Sequence, residues 1–420
     1  TDSLTTDTKG SRSVAIGIDA LATQNFTTAT DDYNVGVGHA AGQRITTGVE
    51  NTFFGGLAGD ALIDADFNVA VGSGSLTSDT YGSRSVAVGA AALASQDFTT
   101  ATNTYNTAVG YAAGATVSTG TSNTLIGGLA GDTLSTGSHN VAIGSGALTS
   151  DDVGSKNTVI GTDACWSQNL ATATDTYNVA VGMQASVYNV TGVSNTTVGY
   201  RAGYGVSTNS HSNNTFIGYE SGEAITTGSS NACIGKSAGY SLTTGDQNTT
   251  LGVSAITSAV DVDSEIVIGY AAQGSGTATA TLGIGATDTY ISLGDTSWSG
   301  SSDERLKENI ADSTAGLSFI NDLRSVTFKW KARGNIPKEF NGYEEGSTEK
   351  YNLNEKTNHG FIAQEVKTVL DSHPEVKNGH GIWSEKKDGT QALAPSALVP
   401  MLVKAIQEQQ TTIEALTARI

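Results

Sequence analysis

The chain has 420 residues, a net charge of −19 and only 7% aromatic residues. That length suggests two or three domains, and the acidic surplus excludes a nucleic-acid binder held by phosphate neutralisation, because the surface repels a polyanion. No run approaches the roughly 18 consecutive apolar residues of a membrane span, and two cysteines, Cys165 and Cys233, are too few for a disulfide framework or a cysteine-based zinc site.

No initiator Met and no signal peptide open the chain, which suggests a fragment or a processed form. Composition divides sharply near residue 300. Residues 1–300 hold 7 basic and 24 acidic side chains, 43 Gly and no Pro; residues 301–420 hold 15 basic, 17 acidic, 8 Gly and all 4 Pro. Two physically different objects have been joined.

A pentad recurs fifteen times in the first part: a small polar residue, apolar or Thr residues, then Gly. Examples are Ser13-Val-Ala-Ile-Gly17, Asn51-Thr-Phe-Phe-Gly55 and Asn248-Thr-Thr-Leu-Gly252. Most copies lie 17 residues apart; three intervals are 21, one is 19, and the long ones recur every 72 residues. Units of four coils have therefore been duplicated. Each pentad reads as a short strand whose second and fourth positions share a face. The fourth, always Ile, Val, Leu or Phe, is expected to point inward, and the middle one (Ala15, Phe53, Ala70, Leu125, Phe216) outward. Seven residues after each pentad start stands Ala or Ser (Ala20, Ala41, Ser75), which implies a cramped interior. Glycine supplies the corner. The opening Asn, present in twelve coils, is expected to stack and hydrogen-bond along the ladder.

A coil this short encloses only a narrow core, so the expected structure is a parallel β-solenoid, roughly 70 Å long at about 4.8 Å per coil. Slender rods bury little surface, and an outward apolar row calls for partners; three rods around one axis would cover it. The pentad followed by a small residue resembles the head repeats of YadA-like trimeric autotransporter adhesins over about residues 11–272. That resemblance implies a mainly β fold: a trimeric left-handed parallel β-roll (residues 1–272).

Catalysis finds little support in this part. His39, His139 and His211 are isolated and read as surface residues, and both cysteines as packed thiols. The 21-residue coils carry related insertions beginning at Gln24, Gln96 and Gln168 and leading to Tyr33, Tyr105 and Tyr177. They read either as a duplicated loop without a ligand or as a receptor-binding ridge. No metal or cofactor is expected.

Residues 273–301 read as short strands closing the rod. Then come Ser301 and Ser302-Asp-Glu-Arg-Leu-Lys307. A Ser and a Lys five apart can form a nucleophile–base pair, and Ser302 can equally cap a helix with acids in its first turn. Leu317, Phe319, Ile320, Leu323, Val326, Phe328 and Trp330 can nucleate a small core. Residues 334–358 read as a polar arm that could lie against a fibre shaft, and Gly360–Leu370 and Pro395–Ile420 as helices. His359 either assists proton transfer or packs against Phe361; Glu365 either pairs with a base or faces water, the second reading being preferred, and His373 and His380 are expected to be surface residues. In the last helix (about 396–420) Val399, Leu402, Ile406, Gln409, Ile413, Leu416 and Ile420 alternate spacings of three and four. That is a coiled-coil seam favouring three strands, or else the apolar face of a monomeric core helix.

Ser302-Asp-x-Arg-Leu-Lys307 followed by His359-Gly-Phe-Ile-Ala-Gln-Glu-Val366 and a terminal helix is similar to the endosialidase-type intramolecular chaperone of phage tail fibres and tailspikes, peptidase family S74, over about 302–420. The resemblance implies a small α+β chaperone domain ending in a trimeric coiled coil. It also implies cleavage between Ser301 and Ser302, with Ser302 as nucleophile and Lys307 as base, and no turnover of an external substrate. The expected function is an adhesive phage fibre segment in the virion, a homotrimer bound to a host receptor or glycan, with no nucleic acid and no membrane insertion. A bacterial surface adhesin built from the same modules and located at the cell surface is the alternative; without an anchor sequence the phage reading is favoured. A polysaccharide-degrading tailspike would need paired carboxylates that break the repeat, and none stand out.

Overall fold

The computed structural model describes residues 2–206, 209–285, 288–295, 297–300, 302–352, 356–376 and 381–419. Two compact units divide the chain, Thr1–Ser301 and Ser302–Ile420.

The first unit is a β-solenoid. All fifteen pentads form strands, each three residues long, and a sixteenth, Thr279–Leu282, continues the stack. Neighbouring strands are parallel and in register, as in Thr107↔Thr124, Thr124↔Val141 and Val141↔Thr158. The ladder then turns antiparallel through Thr289–Ser292 and Ser299–Gly300. A partial coil precedes the first pentad, its Leu4 N–H donating to the Ala20 carbonyl at 3.0 Å.

The facing of the pentads is opposite to the expectation. The middle position is the interior one: Phe53, Ala70, Leu125 and Phe216 are fully buried. Second and fourth positions face out, and Phe54 is 56% exposed. Width explains the inversion. The interior already holds the Ala column (Ala20, Ala41, Ala58), so the strand face turned inward is the one that is usually small. Where a large residue does enter, glycine makes room for it. A Cβ on Gly59 would stand 2.4 Å from the Phe53 ring and one on Gly42 2.5 Å from it. The exposed apolar row therefore exists, but consists of Ile16, Phe54, Ile126, Ile160, Ile217, Ile234 and Leu251.

The pentad glycine has two duties. Gly127 has φ +137, and a Cβ there would lie 2.4 Å from the Gly144 carbonyl of the next coil. Coils thus stack backbone on backbone at this corner.

The Asn ladder runs inside. Asn140 Oδ1 accepts the Asn157 N–H at 3.0 Å, Asn140 Nδ2 donates to the Gly154 carbonyl at 2.9 Å, and Asn140 N–H donates to Asn123 Oδ1 at 3.0 Å. All three asparagines are at most 1% exposed, so their hydrogen bonds have no competing water. Asn140→Ala strands the buried Asn157 amide, and the urea midpoint of the solenoid is expected to fall by the equivalent of about 1–3 kcal/mol. An unchanged midpoint would remove the ladder from the account of stability.

The second unit is small and mixed. Its helices are α1 (Leu317–Asp322), α2 (Ala363–Ser372) and α3 (Val399–Thr417). Val326–Phe328 pairs antiparallel with Asn358–Gly360, and Trp383–Glu385 with Gln391–Leu393. Phe319, Val366, Leu370, Ile382 and Leu398 form the core. The stretch from Gly360 begins as this strand and becomes helical only at Ala363, because its first residues take up the edge of Val326–Phe328. Residues Arg333–Asn335 open a looped excursion whose ends are tied by the Ala332↔Lys350 bridge and by Tyr351 N–H donating to the Lys331 carbonyl at 2.9 Å. Helix α1 has no capping side chain of its own; Glu408 Oε2 of α3 accepts the Leu317 N–H at 2.8 Å and locks the two helices together.

Candidate functional site

Residues Glu304–Leu306 form one turn of 3₁₀ helix. Its cap is Asp303, whose carboxylate accepts the Arg305 N–H, and not Ser302 as the capping alternative had it. Asp303 also chelates the Arg305 guanidinium at 2.6 Å. This turn folds the chain back so that Lys307 Nζ donates to Ser302 Oγ at 2.8 Å. Both side chains are exposed to solvent in the single chain. Ser301 lies outside the described residues, as do Ile420 and His380.

His359 sits elsewhere. It occupies the centre of the Asn358–Gly360 strand opposite Thr327, and its exposed side chain lines a groove of about 640 Å³ with Phe328, Trp330 and Tyr351. Among the described residues no hydrogen bond joins it to Ser302 or Lys307.

The structure decides two expectations about charged groups. For Glu365 the pairing alternative holds and not the preferred one: its carboxylate takes Arg324 in a forked pair, Oε2 to Nε at 2.9 Å and Oε1 to Nη2, and this arginine holds it below the usual carboxylate range. His373 is buried rather than superficial. Its Nε2 meets Asp322 Oδ2 at 2.9 Å, its Nδ1 meets Glu375 Oε1 at 2.8 Å, and its ring stands edge-on to Phe319 at 5.4 Å. Asp322 first and Glu375 second push the imidazole above its ordinary value. Neither partner adjoins His373 in a periodic pattern, so no sequence signal marked it.

Helix α3 presents its seam to solvent. Val399, Leu402, Ile406, Gln409, Ile413 and Leu416 are exposed, whereas Ala405 is buried and Met401 packs on the core. In the single chain the helix turns mainly Ala405 and Met401, and not this seam, to its own unit.

In the solenoid, His39 and His139 are exposed, but His211 is 1% exposed. Its Nδ1 lies 3.3 Å from Asn195 Oδ1, within the ladder at the 19-residue coil. Burial lowers its pKa to about 4. An unfolded chain takes up this proton near pH 6.5 and the folded one only near 4, so stability is complete above 6.5 and declines as pH falls between those values. The decline is about 3 kcal/mol at 1.36 kcal/mol per unit. Urea midpoints across that range are expected to drop less for His211→Gln than for the parent; parallel curves would contradict the assignment.

Cys165 and Cys233 are buried thiols pushed up to about 12 and about 11 by desolvation, hence unreactive. The long-coil insertions are partly internal. Gln96 Nε2 donates to Asp79 Oδ2 at 2.5 Å, Gln96 Oε1 accepts from Asn106 at 2.8 Å, and Phe98 is buried. Asp97, Thr99, Thr100 and Ala101 remain on the surface, as does Tyr105 beyond them. Among the described residues no group of His, Cys, Asp and Glu is placed to hold a metal, and no helix is long and apolar enough to cross a membrane.

Residues 302–373 match the family model Peptidase_S74, described as the chaperone of endosialidase. No curated protein and no solved structure matches the chain. The chain thus joins a β-solenoid body to a segment, residues 302–373, that is similar to the endosialidase chaperone.

Proposed function

We propose that the chain is a segment of a phage tail fibre or tailspike. Three copies assemble as YadA-like left-handed rods that carry host-surface adhesion in the virion, and the C-terminal domain is a removable assembly tool. The observation that carries this reading is a pair of apolar stripes left bare by a single chain: the pentad row Ile126, Ile160 and Ile217 on the solenoid and the Val399–Leu416 seam on α3. Exposed rows of this length favour burial against further copies. Asymmetric partners are not required, because the same stripe can meet itself around a threefold axis.

The chemistry follows from Ser302 and Lys307. Lys307 takes the Ser302 hydroxyl proton, and Oγ attacks the carbonyl carbon of residue 301. A bond from that carbon to Oγ forms, the peptide bond to the Ser302 nitrogen breaks, and the proton passes to the freed amine. Water then hydrolyses the ester and releases the carboxylate of Ser301. A lysine accepts a proton only when neutral, a form favoured by removal from water. Both residues stand in water in one chain, so packing of copies around them is what activates the pair. Cleavage is thereby tied to correct assembly. Parallel solenoids fold slowly through non-local pairing, and loss of the clamp afterwards makes their stability kinetic.

Light scattering of the purified protein is expected to report three copies. A monomer at micromolar concentration would overturn the reading.

A further inference from the structure

Solenoid residues 163–204 enclose a cleft of about 280 Å³ lined by Asp163, Trp166, Gln184, Val187, Tyr188 and Tyr204. Trp166, Val187 and Tyr204 hold the same place, nine residues past the pentad start, in three successive coils. The 72-residue duplication supplies an internal comparison. Trp166 stands where the earlier blocks have Ala22 and Ala94, Tyr188 where they have Arg44 and Thr116, and Tyr204 where they have Asp60 and Asp132. The coil is built without aromatics at these places twice over, so folding does not require them.

Their geometry is that of a partial cage. The Tyr188 and Tyr204 rings are 5.0 Å apart at 83°, and Trp166 is 44% exposed. Arg201 lies on the Tyr204 ring at 4.0 Å and is itself answered by Glu223 at 2.6 Å, which holds that ring in place with the arginine charge met. Asp163 and Gln184 engage no other side chain among the described residues.

We propose that this cleft binds a trimethylammonium group, the choline-type headgroup of a host-surface molecule. Such a cation donates no hydrogen bond; aromatic faces and a nearby negative charge are what hold it. The three rings and the free Asp163 carboxylate meet that requirement. Residues 1–300, with 24 acidic against 7 basic side chains, concentrate cations and repel anions. A neutral sugar would stack on the rings but gain nothing from the charge. The proposal rests on the adhesive reading only for its biological setting.

Calorimetric titration of the intact protein with choline and with its neutral carbon isostere dimethylbutanol tests it. Saturable choline binding is expected, one molecule per chain, with the isostere at least tenfold weaker. Trp166→Ala is expected to abolish binding. Asp163→Asn, at a half-buried surface position, is expected to weaken it several-fold with the thermal midpoint unchanged, which keeps the test valid if the Trp166 variant fails to fold. No choline binding, equal binding of both compounds, or preferential binding of glucose would overturn the proposal. The titration is indifferent to copy number, so a monomer in light scattering removes the fibre reading and leaves the cleft untouched, and the reverse also holds.

Discussion

Ser302→Ala and Lys307→Ala are each expected to leave the chain at full length under conditions in which the parent sequence releases a fragment beginning at Ser302. The two groups form one hydrogen-bonded unit at 2.8 Å, so losing either removes both nucleophile and base function. Loss of one member of such a unit costs roughly 10⁴-fold or more in rate, which reads as complete arrest on a gel. Lys307→Arg is the sharper variant. Guanidinium keeps the positive charge and the donor but cannot give up its proton, so it too is expected to arrest cleavage. Cleavage by the arginine variant would show that Lys307 merely positions Ser302. Glu365→Gln breaks only the Arg324 pair and is expected to leave processing intact. Mass spectrometry identifies the new amino terminus, and an intact parent chain under all folding conditions would remove the protease from the account.

Ile406→Asp and Ile413→Asp are expected to yield monomeric, uncleaved chains. These side chains are 64% and 56% exposed in the single chain and belong to no core cluster, so the fold of their own unit loses nothing. In a three-stranded seam each variant would place three carboxylates in one dry layer. Each copy also forfeits the roughly 1.5–3 kcal/mol that burying an aliphatic side chain contributes. Ala405→Asp is the contrasting control: Ala405 is buried within the unit, and its replacement is expected to unfold that domain rather than merely separate copies. Circular dichroism distinguishes the two outcomes. An Ile406→Asp protein that still scatters as three copies would show that the solenoid alone holds the assembly.

Much of this was legible before any coordinates. The 17-residue period announced the solenoid, because a strand that recurs at constant spacing must meet its own copy one coil on. The ladder of the Asn that opens twelve of the pentads followed from the same repetition, since identical amides stacked in register can bond one another. The alternation of threes and fours in the last helix marked its seam from Val399 to Leu416. Aromatics at Trp166, Tyr188 and Tyr204 were legible too, but only by aligning the 72-residue blocks against each other, a comparison that Ala22 and Ala94 make plain.

Residue order therefore determined the coil, its ladder, its fifteen pentad turns and the spacing of Ser302 and Lys307. Tertiary structure alone decided which strand face is inside, and it reversed the expectation at Phe53 and Phe54. It likewise decided that Arg324 takes Glu365, that Asp322 reaches His373 from 51 residues away, and that His211 is buried in the ladder. A period of two says which side chains share a side, whereas the width left between opposing backbones says which side fits within, and that width exists only once the whole coil has closed.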